Sequence, residues 1–319
     1  MLVTGFVLFL AGMLKLMDPV GAGLQMEAYF NFFHIGFLSP LANVSAWFAS
    51  LFEAVLGAAI ITGVWRKPVE IITWCTLAFF TVLTLVMWIA DPPMECGCFG
   101  EAVHLTHGQS LLKNIVLLVL WGVSCLPFGS KDEPGKRRYI GFIMASAAAF
   151  VFSVICLFFV PPIDFTPLKP GTELVNDGVS ALPFCNAAGE YADSLATEGE
   201  VIIVSVYDPE KLSGRKWNSI SEFLAMMEVS GMQSLLLVAC GTDELPEGAF
   251  SADRRTLMTL NRSNGGAVYV SDGQIIKKWS SFSCPERDDL GENITSANAS
   301  SSIAVRVFLL FEIFVMLLL

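Results

Sequence analysis

Charge is scarce in this chain: 15% of its 319 residues are Asp, Glu, Lys or Arg, against 54% hydrophobic. That balance excludes an ordinary soluble globule and predicts an integral membrane protein. Lys and Arg are missing altogether from two stretches, 18–41 and 91–110. No basic residue precedes the first apolar run, whose single charge, Lys15, lies at its far end. The run therefore lacks the basic start of a secretory signal peptide and reads as a retained helix. The eight cysteines include no Cys-x-x-Cys pair, so the usual dithiol motif is absent. Basic residues are outnumbered 19 to 30, giving a net charge of −11 concentrated in residues 161–300. The imbalance argues against nucleic acid and anionic lipid headgroups as partners. No internal repeat or low-complexity tract stands out.

Long apolar runs are what the chain does have. A spanning helix needs about 20 apolar residues to cross a hydrocarbon core of about 30 Å. Six segments approach that length: 1–17, 42–64, 69–90, 111–128, 139–160 and 301–319. Arg66 and Lys67 follow the second segment, and Lys131, Lys136, Arg137 and Arg138 follow the fourth. Positive residues favour the cytoplasmic side. The two loops without Lys or Arg then face out, with residues 161–300, while both termini are cytoplasmic. In a bacterial inner membrane, 161–300 would be periplasmic.

Four domains follow from this pattern. Residues 1–128 read as a four-helix membrane bundle, aided by small residues such as Gly57-Ala58-Ala59 and Gly63. Residues 129–160 are a cytoplasmic loop and a fifth helix. Residues 161–300 form an extracytoplasmic domain behind a stiff linker at Pro161-Pro162, Pro167 and Pro170, and 301–319 form a last transmembrane helix.

Inside 161–300, strand and helix signals alternate. Val201–Val206 is a buried β-branched strand, and Lys216–Ser230 has helical apolar spacing through Trp217, Ile220, Phe223, Leu224 and Met227. Leu235–Ala239 is a second strand, 251–261 a second helix, and 267–279 a hairpin turning at Asp272-Gly273. This order implies a small α/β domain. It resembles the thioredoxin fold over about 110 residues, chiefly in the closing hairpin. The segment after the first core strand, 207–216, carries no Cys-x-x-Cys, and Asn264-Gly265-Gly266 stands where that family has a proline. The resemblance thus implies a degenerate thioredoxin-like domain that binds or docks.

Chemistry is expected at Cys96-Gly97-Cys98-Phe99-Gly100, between the third and fourth segments. Gly97 and Gly100 allow tight bends. A disulfide between cysteines two apart departs from relaxed geometry and would be easily reduced, which suits the transfer of oxidation to another thiol. Two other uses stay open. Cys96 and Cys98 with His104 and His107 would supply two thiolates and two imidazoles to zinc or copper, or the thiols are merely structural.

Glu53 lies midway along the second apolar segment, where a carboxyl group is costly and faces a bundle interior or wet cavity. Burial would keep it largely protonated and able to relay a proton to the thiols, or it bonds a neighbouring helix. Lys15 and Asp18 are three apart and would pair across a helical turn, with Asp18-Pro19 ending the helix. Cys185 and Cys284 flank the extracytoplasmic domain, and if it closes as the thioredoxin resemblance implies, they could approach each other to form a disulfide. Cys75, Cys125, Cys156 and Cys240 read as packing residues. Asn-x-Ser/Thr triplets at Asn43, Asn261, Asn293 and Asn298 are at chance level.

Several short motifs occur in order over residues 1–128: Gly12-Met-Leu-Lys15-Leu-Met-Asp18-Pro19, Glu53-x-x-x-Gly57, Cys96-Gly-Cys-Phe-Gly100 and Asn114. Together they resemble the MauE branch of the DoxX-like membrane proteins, named from methylamine utilisation. The resemblance implies a four-helix membrane bundle similar to disulfide-handling proteins of the vitamin K epoxide reductase type. It also implies a part in maturing a disulfide-rich extracytoplasmic dehydrogenase. The thioredoxin-like domain and sixth helix depart from the short family members, which loosens the tie to methylamine itself. Two functional readings result. In one, Cys96 and Cys98 exchange disulfides with an extracytoplasmic client, Glu53 moves protons, and a quinone or separate thioredoxin-like protein takes the electrons. In the other, the bundle is a non-enzymatic anchor and assembly platform.

Overall fold

Long apolar runs form the helices of the first half of the chain. The computed structural model describes residues 1–94, 96–125, 135–158, 161–176, 179–241 and 245–282, together with 306, 310, 311 and 315. The chain divides into two compact units, Met1–Leu157 with Phe308–Leu319, and Phe158–Val307.

The first unit contains α1 (Leu2–Met17), α2 (Pro19–Phe32), a 3-10 turn (Gly36–Leu41), α3 (Ala42–Thr62) and α4 (Arg66–Ala90). The short strand β1 (Cys98–Glu101), α5 (His107–Cys125) and α6 (Lys136–Phe158) follow. Among the described residues, Gly36–Thr62 and α4, α5 and α6 are long and apolar enough to cross a membrane. Helices α1 and α2 qualify only as a pair, bent by 101°. The expected outer loop over 18–41 is therefore mostly helical. Its cause is Asp18, whose carboxylate accepts the Gly21 N–H at 2.9 Å ahead of Pro19 in the first turn of α2. A cap with proline at the first helical position starts a helix as effectively as it ends one. The same residue does both here. Most of the sixth segment, 301–319, and the loop 126–134 lie outside the described residues.

Helix α1 packs on α3 through missing side chains. A Cβ on Gly57 would press on the Phe9 backbone, and one on Gly12 would lie 2.5 Å from the Ala54 nitrogen. Small residues let helices approach this closely in lipid, where packing rather than water exclusion drives association. Phe9, Met13, Leu16, Ala54, Leu77 and Trp121 fill the core of the unit. Outward faces carry large apolar side chains such as Ile71, Phe79, Val82 and Ile89, suited to lipid. Asn114 joins α5 to α4: its amide donates to the Phe80 carbonyl at 3.1 Å and to the Thr84 hydroxyl at 3.2 Å.

The second unit opens with a two-stranded hairpin, β2 (Val175–Asn176) and β3 (Val179–Ser180). A six-stranded sheet follows, built from β4 (Phe184–Cys185), β5 (Glu200–Val206), β6 (Gln233–Ala239), β7 (Ala249–Ala252), β8 (Gly266–Ser271) and β9 (Gln274–Trp279). Its order is β4-β7-β6-β5-β8-β9. Strands β5, β6 and β7 run parallel, and β4, β8 and β9 pair antiparallel to their neighbours. Strand β5 is buried on both faces, which explains its continuous apolar run Val201–Val204. Ile202, Val204 and Val206 pack with Ile220, Phe223 and Met227 of α7 (Gly214–Val229). Val201 and Ile203 pack with Leu257 and Leu260 of α8 (Arg254–Leu260) on the other side.

The expected strands, first helix and hairpin occur here within two residues of their predicted ends. Helix 251–261 is shorter than expected, because Ala249–Ala252 pair with β6 as β7 and Asp253 caps α8 through the Thr256 N–H. Cys240 is exposed rather than core, one residue beyond β6, and its sulfur accepts from the Ser251 hydroxyl at 3.1 Å.

Candidate functional site

The loop after α4 is bent by its own residues. Asp91 ends α4 in the left-handed region at φ +41, and Gly97 and Gly100 follow at +60 and +63. The Gly100 N–H donates to the Gly97 carbonyl, closing the turn at 3.1 Å. Gly97 is required twice over: its φ disfavours a side chain, and a Cβ would collide with Gln25 of α2. The bend brings the Cys96 and Cys98 sulfurs to 3.2 Å as free thiols. Cys96 is buried and Cys98 partly exposed.

Helix α2, which replaces the expected loop, lies against this turn. Tyr29 donates its hydroxyl to the Cys96 carbonyl at 2.6 Å. On the opposite flank, Lys113 of α5 sits 4.8 Å from the Phe99 ring centroid, within cation–π range.

The two thiols ionise differently. A hydrogen bond from Cys96 pulls the Cys98 pKa down to about 5, helped by the nearby charges of Lys113 and Lys15 and by Ser110, against the cost of burial. The Cys96 thiol is pushed up by that same hydrogen bond, by burial and by the charge on Cys98. At neutral pH the pair holds one shared proton, with the negative charge on Cys98.

Lys15 and Glu53 meet rather than standing apart. The Lys15 ammonium lies 2.7 Å from both Glu53 carboxylate oxygens, at 16% and 5% side-chain exposure. The carboxyl group expected to be neutral by burial is thus one half of an ion pair across α1 and α3. Asp18, expected to pair with Lys15, caps α2 instead.

A cavity of about 410 Å³ joins these features. Cys96, Gly97, Cys98, Lys15, Glu53 and Asn114 all border it, although 99 positions separate Lys15 from Asn114 in sequence. Most of the remaining lining is apolar, with Phe30, Phe33, Phe79 and Phe80 among it. Phe99 and Gly100 shape the turn without lining the cavity.

Residues 1–127 match the family model described as methylamine utilisation protein MauE. MauE is a membrane family, in keeping with the spanning helices, and the match takes in every residue of the site just described. The MauE segment ends beyond α5, so α6 and the second unit lie outside it. No curated protein matches the chain.

The metal alternative is not assembled. Among the described residues, no group of three or more His, Cys, Asp or Glu could hold an ion. His107 turns to the end of α4, with Nδ1 3.2 Å from the Asp91 carboxylate, and so does not complete a four-ligand set with the thiols and His104. Cys185, in β4, is a partly exposed free thiol, and its expected partner Cys284 lies outside the described residues. Sequence reasoning missed Gln25, Tyr29, Ser110 and Lys113. For Lys113 there was a signal, a lone cation beside Asn114 in an apolar run. Gln25 and Tyr29 had none, because they fell in a segment read as loop.

Proposed function

We propose that the MauE unit exchanges disulfides with an extracytoplasmic client through Cys96 and Cys98. The observation that carries this reading is the 3.2 Å pairing of a low-pKa, partly exposed Cys98 with a buried Cys96 that keeps its proton. Cys98 is the client-facing thiol and Cys96 the resolving one. In the reducing direction, the Cys98 thiolate attacks a client disulfide, forming a mixed disulfide and releasing one client thiolate. Cys96 then attacks the Cys98 sulfur, closing the Cys96–Cys98 bond and freeing the second client thiol. The oxidising direction retraces these steps, so both pass through a client joined to Cys98. Glu53 and Lys15, bordering the same cavity, carry protons to and from the pair.

The reading places this loop and residues 161–300 in the periplasm of a bacterium, with both termini in the cytoplasm, on the strength of the Lys and Arg bias. Residues 161–300 act as a degenerate thioredoxin-like domain that holds the client. Parallel β5 and β6 beside the antiparallel β8–β9 hairpin support that assignment. Asn264 supports the loss of dithiol chemistry there. Its side-chain oxygen accepts from the N–H groups of Tyr207 and Asp208, and its amide donates to the Asp208 carbonyl, fixing the backbone where a dithiol would sit.

Trapping separates this function from a non-enzymatic platform. Cys96→Ser should accumulate a reductant-sensitive adduct on Cys98 in intact cells, whereas Cys98→Ser should accumulate none at the loop. Equal behaviour of the two variants, with no adduct on either, would leave only the platform.

A further inference from the structure

We infer that His107, held by Asp91, takes up the Cys96 proton through Ser110 when Cys96 closes onto Cys98. This rests on the exchange reading above and supplies the base that its second step requires. Before exchange, the Cys96 proton is shared with the negative sulfur of Cys98 at 3.2 Å. Once Cys98 is bonded to a client sulfur, that charge is gone. Cys96 can then attack only by giving its proton to another group.

The start of α5 carries a route for it. His107 and Ser110 are three residues apart on this helix and share a face. Ser110 is wholly buried, beside both sulfurs, where its hydroxyl favours a charge on either one. The His107 side chain, one turn earlier, is 10% exposed. Among the described residues, the Ser110 hydroxyl and His107 Nε2 are both buried atoms without a close hydrogen-bond partner. Left apart, each is costly; joined, directly or through one water, they satisfy each other.

The other side of the imidazole decides what Nε2 does. The Asp91 carboxylate, 3.2 Å from Nδ1, can only accept, so Nδ1 carries the hydrogen and Nε2 keeps its lone pair. A carboxylate on one nitrogen and an open lone pair on the other make a general base. Asp91 is 86% exposed, so a proton on His107 has a short way to solvent. The Glu53 carboxylate spends both oxygens on Lys15 and serves the cavity side instead.

The step balances. The Cys96 S–H bond breaks, its proton passes to the Ser110 oxygen as the Ser110 proton passes to Nε2, and the Cys96 sulfur attacks Cys98. The Cys96–Cys98 bond forms, the bond from Cys98 to the client breaks, and its electron pair leaves on the client thiolate. The imidazolium, paired with Asp91, then returns its proton to water.

The test uses the full-length reduced protein in detergent, with oxidised glutathione as the disulfide probe. Acid-quenched samples read by peptide mass spectrometry separate the Cys98–glutathione adduct from the closed Cys96–Cys98 bond. In the native chain the adduct should be transient. His107→Gln should slow its closure about 100-fold. Ser110→Ala should also make the adduct accumulate, and decides the matter should the first variant fail to fold. The reduction potential of the pair in His107→Gln should stay at the native value, since a proton carrier changes rate and not end states. Closure at the native rate in either folded variant overturns the inference. So does a potential in His107→Gln that shifts in step with the rate, which marks a clamp on the loop. Both results spare the exchange reading. A native chain that forms neither adduct nor closed bond overturns both.

Discussion

Ionisation sets Cys98 apart from its neighbour two residues away. Its thiolate persists at neutral pH because the Cys96 hydrogen bond and the Lys113 and Lys15 charges outweigh the cost of burial. Alkylation of the reduced protein at Cys98 should therefore be flat above about pH 6 and fall as pH drops through about 5, where an ordinary thiol would titrate near 8.5. Rate measurements with iodoacetamide from pH 4 to 9 check this, and Lys113→Met should move the midpoint upward. Glu53 acts at the same scale. Removing one partner of a buried pair strands the other charge, so Glu53→Gln should lower stability by about 3 kcal/mol. Thermal unfolding in detergent would report it, and adding Lys15→Met should restore most of the loss. These motif residues were legible from sequence because charge or sulfur in an apolar stretch is conspicuous. Their pairing was not, since nothing in residues 15 to 18 indicates that Lys15 reaches a helix 38 positions on rather than Asp18.

Among the elements, those set by periodicity came through and those set by partners did not. Strand β5, helix α7 and the β8–β9 hairpin declare themselves by buried runs, 3.6-residue spacing and Asp272-Gly273, whose φ values of +44 and +77 suit a tight hairpin turn. Strand β7 is four residues long and exists only because β6 and β4 flank it. Helix α2 was hidden for a different reason: Asp18-Pro19 is both a stop and a start, and local sequence does not say which. The α1–α3 crossing yields a direct prediction. Gly57→Leu forces a side chain onto the Phe9 backbone and should destabilise the unit by about 1–3 kcal/mol, read as a lower unfolding temperature. Gly63→Ala, in the open at the end of α3 but at φ +71, should cost less, about 1 kcal/mol.

At the scale of the whole chain, two compact units share one polypeptide. The first buries small residues between helices and exposes large apolar side chains; the second buries both faces of a mixed sheet. The charge bias on which the proposed orientation stands makes a labelling prediction. A membrane-impermeant maleimide should modify Cys98 and the exposed Cys240 in intact cells, while a cysteine placed at Lys67 should react only after lysis. Labelling in the reverse pattern would put the thiol pair in a reducing compartment and remove the proposed exchange.

Asn264 has a consequence for how the second unit meets other molecules. With the amide hydrogens of Tyr207 and Asp208 already taken, an extended peptide arriving at the carboxyl end of β5 cannot pair with those two main-chain donors. In the proposed client-holding role, selectivity at that corner would then rest on side-chain shape and charge, open to change by point substitution without disturbing the sheet.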